Sequence, residues 1–499
     1  MADLETKNSA VATEESGERK VKMRSLALDL VPMGSDEENR MADLKVTKTL
    51  PEGIESKMLY SDIIHIAWPS LVELTLTQLA SMVDLMMVGQ LGPWALTAVG
   101  LTTQPKFLLM TMFMAMNVGA TAMVARYKGA GNQKKADEVL RQALLMTFVL
   151  GCVFAVIGFI AAPWLIQFMG ASEDHVLQAG VDYLRIQMIG LPGLALTSTI
   201  TATLRGVGNS KTAMIYNAMA NIINVIFNYM LIYGNFGAPR MEVAGASLAT
   251  IIGQYCAMFM AFYAVMNGQQ YIILRFRDGF KPNKEEIKKI VDIGAPAMVE
   301  QVVMRIGLII YTRTVAGLGT LPYAVHQVCL NIQSLSFMNG QAFAVSATSL
   351  TGQSLGKKRH DMAQAYTTRT RKLGMCVSIF LGVVFFFFGG QIVALYSGGD
   401  QSLVELGAVI MMFVAVVQPF QSSQLILAGA LRGAGDTKVT AAITFITVLL
   451  VRPALAIFAI NVLGMGLEGA WYALVTDQIL RSLLVLLRYN SGAWKRHTM

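Results

Sequence analysis

The sequence predicts an all-α integral membrane protein: twelve transmembrane helices in two six-helix bundles related by a pseudo-two-fold axis along the membrane normal. Three observations predict it. The 499 residues are 54% hydrophobic and only 14% charged, with mean hydropathy +0.51, whereas soluble domains run at about 25% charged. The apolar segments accommodate twelve membrane helices, each needing about 20 residues. The chain also repeats itself: one constant offset of 227 residues, the distance from Pro69 to Pro296, aligns 69–211 with 296–438 without a gap. LRGVGNSK at 204–211 lies opposite LRGAGDTK at 431–438, Pro192 opposite Pro419, and Gly129 opposite Gly356. Six helices per repeat preserve orientation, so the repeats are parallel and leave a central cleft, where transporter sites lie.

Residues 1–57 are dense in Glu, Asp, Lys and Arg and read as a disordered cytoplasmic tail, without the apolar core and cleavage site of a secretory signal. The first lobe is 58–266, with helices at 58–89, 94–125, 139–164, 174–204, 211–234 and 242–266. A polar linker, 267–285, follows. The second lobe is 286–488, with helices at 286–316, 321–352, 366–391, 401–431, 437–461 and 466–488; 489–499 is a C-terminal tail. Segments after even-numbered helices are basic, as at Arg126, Lys128, Lys134 and Lys135, or Lys357, Lys358 and Arg359, while the opposite loops are nearly free of Lys and Arg. The positive-inside rule then places both termini in the cytoplasm.

The net charge of +8 is accounted for by those loops, so no nucleic-acid partner is expected. Cys152, Cys256, Cys329 and Cys376 stand alone in apolar runs, which indicates neither a disulfide framework nor a zinc site. The glycine-rich LRGxG turns terminate helices. They lack the lysine and the preceding strand of a phosphate-binding loop, which argues against ATP-driven transport by this chain alone. No His, Ser or metal constellation suggests an enzyme, and no cofactor beyond a coupling ion is implied.

The costly residues are the informative ones. Helix 1 carries Glu73 and Asp84, and a charge at membrane depth costs about 2.5–3.5 kcal/mol on insertion scales and marks function by default. Glu73 has a twin in Glu300, while Asp84 falls opposite Tyr311. Helix 5 places Asn217, Asn221, Asn224 and Asn228 at steps of 4, 3 and 4, one face of carboxamides that can serve either protonation state of Asp84 or ligate Na⁺. Val451 and Leu455 stand opposite Asn224 and Asn228, so the polar stripe belongs to the first half alone. Glu73 and Glu300 read either as proton or cation sites or as ion pairs that fix packing, with Arg305 and Arg313 the nearby cations for Glu300. Gln104, Lys106, Asn117, His326, Gln327, Asn331, Gln333, Asn339 and Gln341 on helices 2 and 8 read as cavity lining. The 32 methionines suit an adaptable apolar surface.

MVDLMMVGQLGPWALTAVGL, ATAMVARYKGAGNQKKA, LRGVGNSKT, NVIFNYMLIYG, VAGASLAT, LGTLPYAVHQV and GALRGAGDTK occur in order. On these stretches the chain from about 60 to 488 resembles the multidrug and toxic compound extrusion (MATE) transporters of the bacterial NorM/DinF type. The resemblance implies a V of two bundles in the plasma membrane and alternating access. It implies a monomer that exports organic cations and amphipathic drugs in exchange for H⁺ or Na⁺. Carried onto this sequence, it places an N-lobe cation site at Asp84, Asn224, Asn228 and Thr250. If sodium is the coupling ion, Asp84, Asn224 and Asn228 hold it. Glu300 stands near the family's helix-7 acid, and Gln421 or its neighbours Ser422 and Ser423 replace its helix-10 acid; Asn217, Asn221 and Gln421 also read as substrate-cavity lining. A lipid-linked oligosaccharide flippase of related architecture is the alternative, for which Arg305, Arg313 and Arg452 would meet the pyrophosphate.

Overall fold

Long apolar runs separated by short Gly- and Asn-punctuated turns leave this chain one way to satisfy its backbone in lipid, which is to wind into helices. A computed structural model of the protein describes residues 25–35, 50–51, 53–170, 173–395 and 400–496. Among these are twelve long helices: α1 Ser56–Gly89, α2 Pro93–Gly129, α3 Gln133–Phe168, α4 Asp174–Gly206, α5 Ser210–Tyr233 and α6 Glu242–Met266 form the N-lobe. The C-lobe comprises α7 Lys284–Ala316, α8 Thr320–Gly356, α9 His360–Ala394, α10 Gln401–Gly433, α11 Thr437–Asn461 and α12 Gly466–Asn490.

Several helices start before the apolar run that betrays them. Asn132 caps α3 by accepting from Lys135 N at 3.1 Å, and Asn283 caps α7 by accepting from Glu285 N at 3.0 Å. Such caps satisfy the free N–H groups of a first turn and carry the helix out into water. Ten of the twelve helices are long and apolar enough to cross a membrane by length and composition. The other two, α4 and α8, have 33 and 37 residues but are rich in hydroxyls and amides. Thr199, Thr203, Ser346 and Ser354 on them are fully buried in protein. Many of these hydroxyls bond their own helix, as Thr203 Oγ1 does to Thr199 O at 2.9 Å and Ser354 Oγ to Leu350 O at 2.7 Å. Within α11, Phe445–Val451 widens into a π-helical stretch just before Pro453, whose missing N–H breaks the regular ladder.

The lobes meet at their basic ends, and the two-fold is visible atom by atom. A Cβ on Gly129 of α2 would lie 1.8 Å from Gln353 O, and one on Gly356 of α8 would lie 1.9 Å from Arg126 O. These four residues exchange under the 227-residue offset. A second exchanging set flanks them: Gly119 against Ile290 O, where a Cβ would lie 2.3 Å away, and Ser346 Oγ donating to Ile63 O at 3.1 Å. Arg126 Nη2 donates to Ala434 O at 3.0 Å, and Gln353 Nε2 to Gly206 O at 3.0 Å. The seam is therefore backbone against backbone.

The linker 267–285 is bound to the N-lobe: Ile272 and Leu274 join its core, and Ile273 N donates to Asp137 Oδ1 at 2.8 Å. The expectation of a wholly disordered tail over 1–57 fails at 25–35, where a 3₁₀ turn, Ala27–Leu30, is ordered on the basic end. Composition averaged over a charged tail hid its short apolar cluster of Leu26, Ala27, Leu28 and Val31. Residues 1–24, 36–49 and 52 of that stretch lie outside the described residues. At the other terminus Trp494 is buried, stacks on Tyr489 at 5.2 Å, and donates to Tyr489 O at 2.8 Å.

Gly356→Val must push α8 off a carbonyl with no room to move, an overpacking that costs about 1–3 kcal/mol or more. It is expected to lower the thermal midpoint of the purified protein in detergent. Gly100→Ala, where a Cβ meets nothing within 4 Å inside a helix, is expected to leave the midpoint unchanged or raise it. Equal midpoints for the two variants would refute the close seam.

Candidate functional site

α1 and α5 run parallel and in register, and one constant separation pairs their polar faces. Asn217 Nδ2 donates to Glu73 Oε1 at 2.6 Å, Asn221 Nδ2 to Thr77 Oγ1 at 3.1 Å, and Asn228 Nδ2 to Asp84 Oδ1; each pair is 144 residues apart. The asparagine stripe is thus a set of rungs against α1. Thr77 completes the α1 face and is the member that sequence reading missed. Its signal was present, since Glu73, Thr77 and Asp84 step by 4 and 7, as Asn217, Asn221 and Asn228 do.

At the upper rung α6 closes in. Gly253 lets it approach, because a Cβ there would lie 2.8 Å from Ala220 O, and this sets Thr250 beside Asn224. Hydrogen-bond chemistry fixes the Asn224 carboxamide. Its nitrogen donates to Asp84 Oδ1 at 2.8 Å and Oδ2 at 3.2 Å, and its oxygen accepts from Thr250 N at 3.1 Å. The reverse orientation would set an amide oxygen against a carboxylate. Asp84 therefore holds two carboxamide donors. Asn228 Oδ1 is buried with no hydrogen-bond partner.

Asp84, Asn221, Asn224 and Thr250 border a cavity of about 310 Å³, with Lys106 and Phe107 of α2 on its far side. Lys106 has no ion pair or hydrogen bond of its own among the described residues, and it lines the same cavity as Asp84. Arg305 of α7 lays its guanidinium over the Phe107 ring at 4.6 Å, so the C-lobe reaches this wall.

The remaining acids have other surroundings. Glu73 Oε2 pairs with Arg205 Nη2 at 2.8 Å, and Glu300 Oε1 with Arg432 Nη2 at 2.8 Å. Glu73/Arg205 and Glu300/Arg432 exchange under the 227-residue offset, so they are one ion pair made twice. The expected cations for Glu300, Arg305 and Arg313, are not the ones used. A salt bridge between helices far apart in sequence replaces a neighbour on the same helix. Thr440 Oγ1 adds a bond to Glu300 Oε2 at 3.3 Å.

Where Asp84 has its counterpart, Tyr311 donates to Ala470 O at 2.8 Å. The Arg452 guanidinium sits 5.7 Å from the Tyr311 ring and bonds Asp477 Oδ2 through Nε at 3.0 Å; Arg481 Nη2 joins at 3.1 Å. That place in the C-lobe is filled by its own side chains, and Arg452 is bound inside the lobe rather than turned to a cleft.

Several residues read as cavity lining are not brought to the Asp84 cavity. Asn117 ties α2 to α4, donating to Ser198 Oγ at 3.0 Å and accepting from Thr199 Oγ1 at 2.8 Å. His326 is fully buried between Tyr311 and Trp471, each ring 5.6 Å away. Gln327 donates to Tyr323 Oη at 2.9 Å, and Gln421 accepts from Gln333 at 3.3 Å. Asn331 is exposed, and Gln104 and Gln341 are half-buried, none of them bordering that space.

A family model described as MatE matches residues 69–230 and 296–458, once in each repeat. The chain is 27% identical over 439 residues to a probable multidrug resistance protein NorM of Thermotoga maritima, covering 88% of this chain and 94% of that one. It is 26% identical over 437 residues to the uncharacterized transporter YisQ of Bacillus subtilis, covering 87% and 94%. A crystal structure of MATE in the bent conformation superposes with a TM-score of 0.80 at 22% identity, covering 88% of this chain and 96% of the other.

The twin ion pairs are expected to carry stability. Removing one partner leaves a buried charge uncompensated, which costs about 3–5 kcal/mol. Arg205→Gln and Arg432→Gln should each lower the thermal midpoint strongly, and Glu73→Gln less so. Retention of the wild-type midpoint by both arginine variants would refute this role.

Proposed function

The chain belongs to the MatE family of membrane transporters, and on that premise we propose that it is a secondary active exporter of amphipathic organic compounds, driven by proton entry through Asp84. It is a transporter rather than an enzyme, and relatives named as multidrug resistance proteins support efflux of drug-like molecules. The single observation that carries the coupling role is Asp84 itself. It is a membrane-embedded carboxylate without an ion pair among the described residues, and it faces a cavity large enough for part of a ligand.

A proton suits this site better than sodium. The carboxamides of Asn224 and Asn228 present N–H groups to the carboxylate, whereas hard cations are held by oxygens. Lys106 shares the cavity, and its field opposes a second cation there. When Asp84 takes up a proton, the Asn228 amide can turn and offer its unpartnered oxygen as acceptor. Protonation thus exchanges one set of hydrogen bonds for another instead of breaking the site.

The seam supports the alternating-access reading. The lobes are in close contact at the basic end, which supports a state closed on that side. Opening the basic end requires parting α2 from α8. One charge moving inward contributes about 2.3 kcal/mol per 100 mV, enough for roughly fifty-fold accumulation of an uncharged substrate at 1.4 kcal/mol per decade, whereas one-for-one exchange of a proton for a monocation is driven by the pH gradient alone. The twin ion pairs, built alike in both lobes, would travel with them as rigid parts.

In proteoliposomes, ethidium counterflow should respond to an imposed pH gradient and not to a sodium gradient alone. Asp84→Asn is expected to lower pH-driven counterflow at least tenfold while keeping the wild-type thermal midpoint. Sodium-driven movement would refute the choice of ion, and undiminished pH-driven movement in Asp84→Asn would refute the site.

A further inference from the structure

The described N-terminal segment crosses the closed seam. Leu26, Ala27, Leu28 and Val31 are all buried, and their neighbours come from both lobes. Leu59 and Ile63 belong to α1 of the N-lobe; Phe343 and Leu350 belong to α8, and Met362 to α9, of the C-lobe. Polar contacts fix the position. Ala27 N donates to Asp62 Oδ2 at 2.8 Å, and Tyr366 Oη of α9 donates to the same oxygen at 2.8 Å. One carboxylate of α1 therefore holds the segment and the C-lobe together. On the other side Lys357 Nζ donates to Leu28 O at 2.7 Å, and Gly34 N donates to Lys357 O at 3.1 Å.

This is more than a tail resting on a surface. The turn is shaped before it docks, because Leu26 N donates to Asp29 Oδ2 at 2.8 Å. Its far end fits only glycine: a Cβ on Gly34 would lie 2.1 Å from Lys358 O. Leu30 and Met33 point outward, so the buried residues are those that face the groove.

We propose that residues 26–34 are a strap seated in a groove made jointly by the two lobes, that it holds the basic end shut, and that its release sets how often that end opens. The groove's occupant is this chain's own segment. Its effect on rate rests on the alternating-access reading above, whereas its docking does not. Parting the lobes at the basic end separates α1 from α8 and α9, and the strap bonds to elements on both sides of that separation. Nothing else in the transport machinery needs the strap, since the Asp84 cavity lies farther along α1.

Gly34→Val tests this without altering either lobe, and Leu28→Asp is the second variant. In the full-length protein in detergent, hydrogen exchange should show the amides of Ala27 and Gly34 protected. Both variants should exchange there at least tenfold faster. A Ser346→Cys reporter at the seam, with the four native cysteines replaced, should react with an impermeant maleimide at least threefold faster when Gly34→Val is added. Counterflow in Gly34→Val should rise at least twofold. Unprotected wild-type amides would overturn docking. A protected strap whose release leaves maleimide labelling unchanged would overturn its hold on the seam. Faster labelling without faster counterflow, in a protein that transports, would overturn rate control. If the wild-type chain moves no probe, the transport reading fails, while exchange and labelling still decide the strap.

Discussion

Everything in this molecule is placed by the crossing of α2 and α8. Gly129 and Gly356 bring each helix against the other's backbone carbonyl, and the contact is its own image under the repeat. A crossing this close leaves no space for side chains, so it acts as a shared pivot where dispersion contacts are dense and any added atom is resisted. Around it α1 packs on α8, and α7 packs on α2. The lobes are thus joined through symmetric pairs at the basic end, and the Asp84 cavity is lined by N-lobe residues alone.

Symmetry builds the frame, and its failure builds the site. Both halves keep the Glu–Arg pair between their first and fourth helices, which neutralises a carboxylate that would otherwise be costly in lipid. Beyond it the halves part. The N-lobe lines its next turns with asparagines and leaves a space. The C-lobe closes the same region with Tyr311, Trp471 and His326 and with the Arg452–Asp477–Arg481 cluster. A buried cluster of that kind fixes an arrangement rather than adding much stability. One lobe fills this region with its own side chains, and the other leaves a cavity beside an acid without an ion pair among the described residues.

The sequence made the frame legible because membrane helices and repeats are one-dimensional signals. Apolar length gave the helices, and a single offset gave the two-fold. Partners across helices were not legible in the same way. Arg432 lies 132 residues from Glu300, and nothing local favours it over Arg305, yet its twin Arg205 beside Glu73 would have identified both pairs at once. The polar residues of α8 illustrate a second limit. Amides and hydroxyls on a membrane helix look alike whether they line a cavity or bond across a packed interface, and most of these do the latter. The strap shows a third, since four apolar residues in a charged tail vanish in any average over its length.

Helix α1 ties these findings together. Asp62, Glu73 and Asp84 stand 11 residues apart, a step that returns to within about 20° of the same face, so three acids share one stripe along the helix. Each meets a different environment. Asp62 takes the strap's N–H and the Tyr366 hydroxyl at the basic end. Glu73 takes Arg205 and Asn217 in the middle. Asp84 takes only neutral carboxamides and borders the cavity. Glu73 is committed to a guanidinium, whereas the carboxamides beside Asp84 bring no counter-charge and can present either an N–H or an oxygen. Asp62 and Glu73 hold the same helix to the N-terminal segment and to α4, so α1 joins the cavity, the ion-pair frame and the basic end in one rigid element.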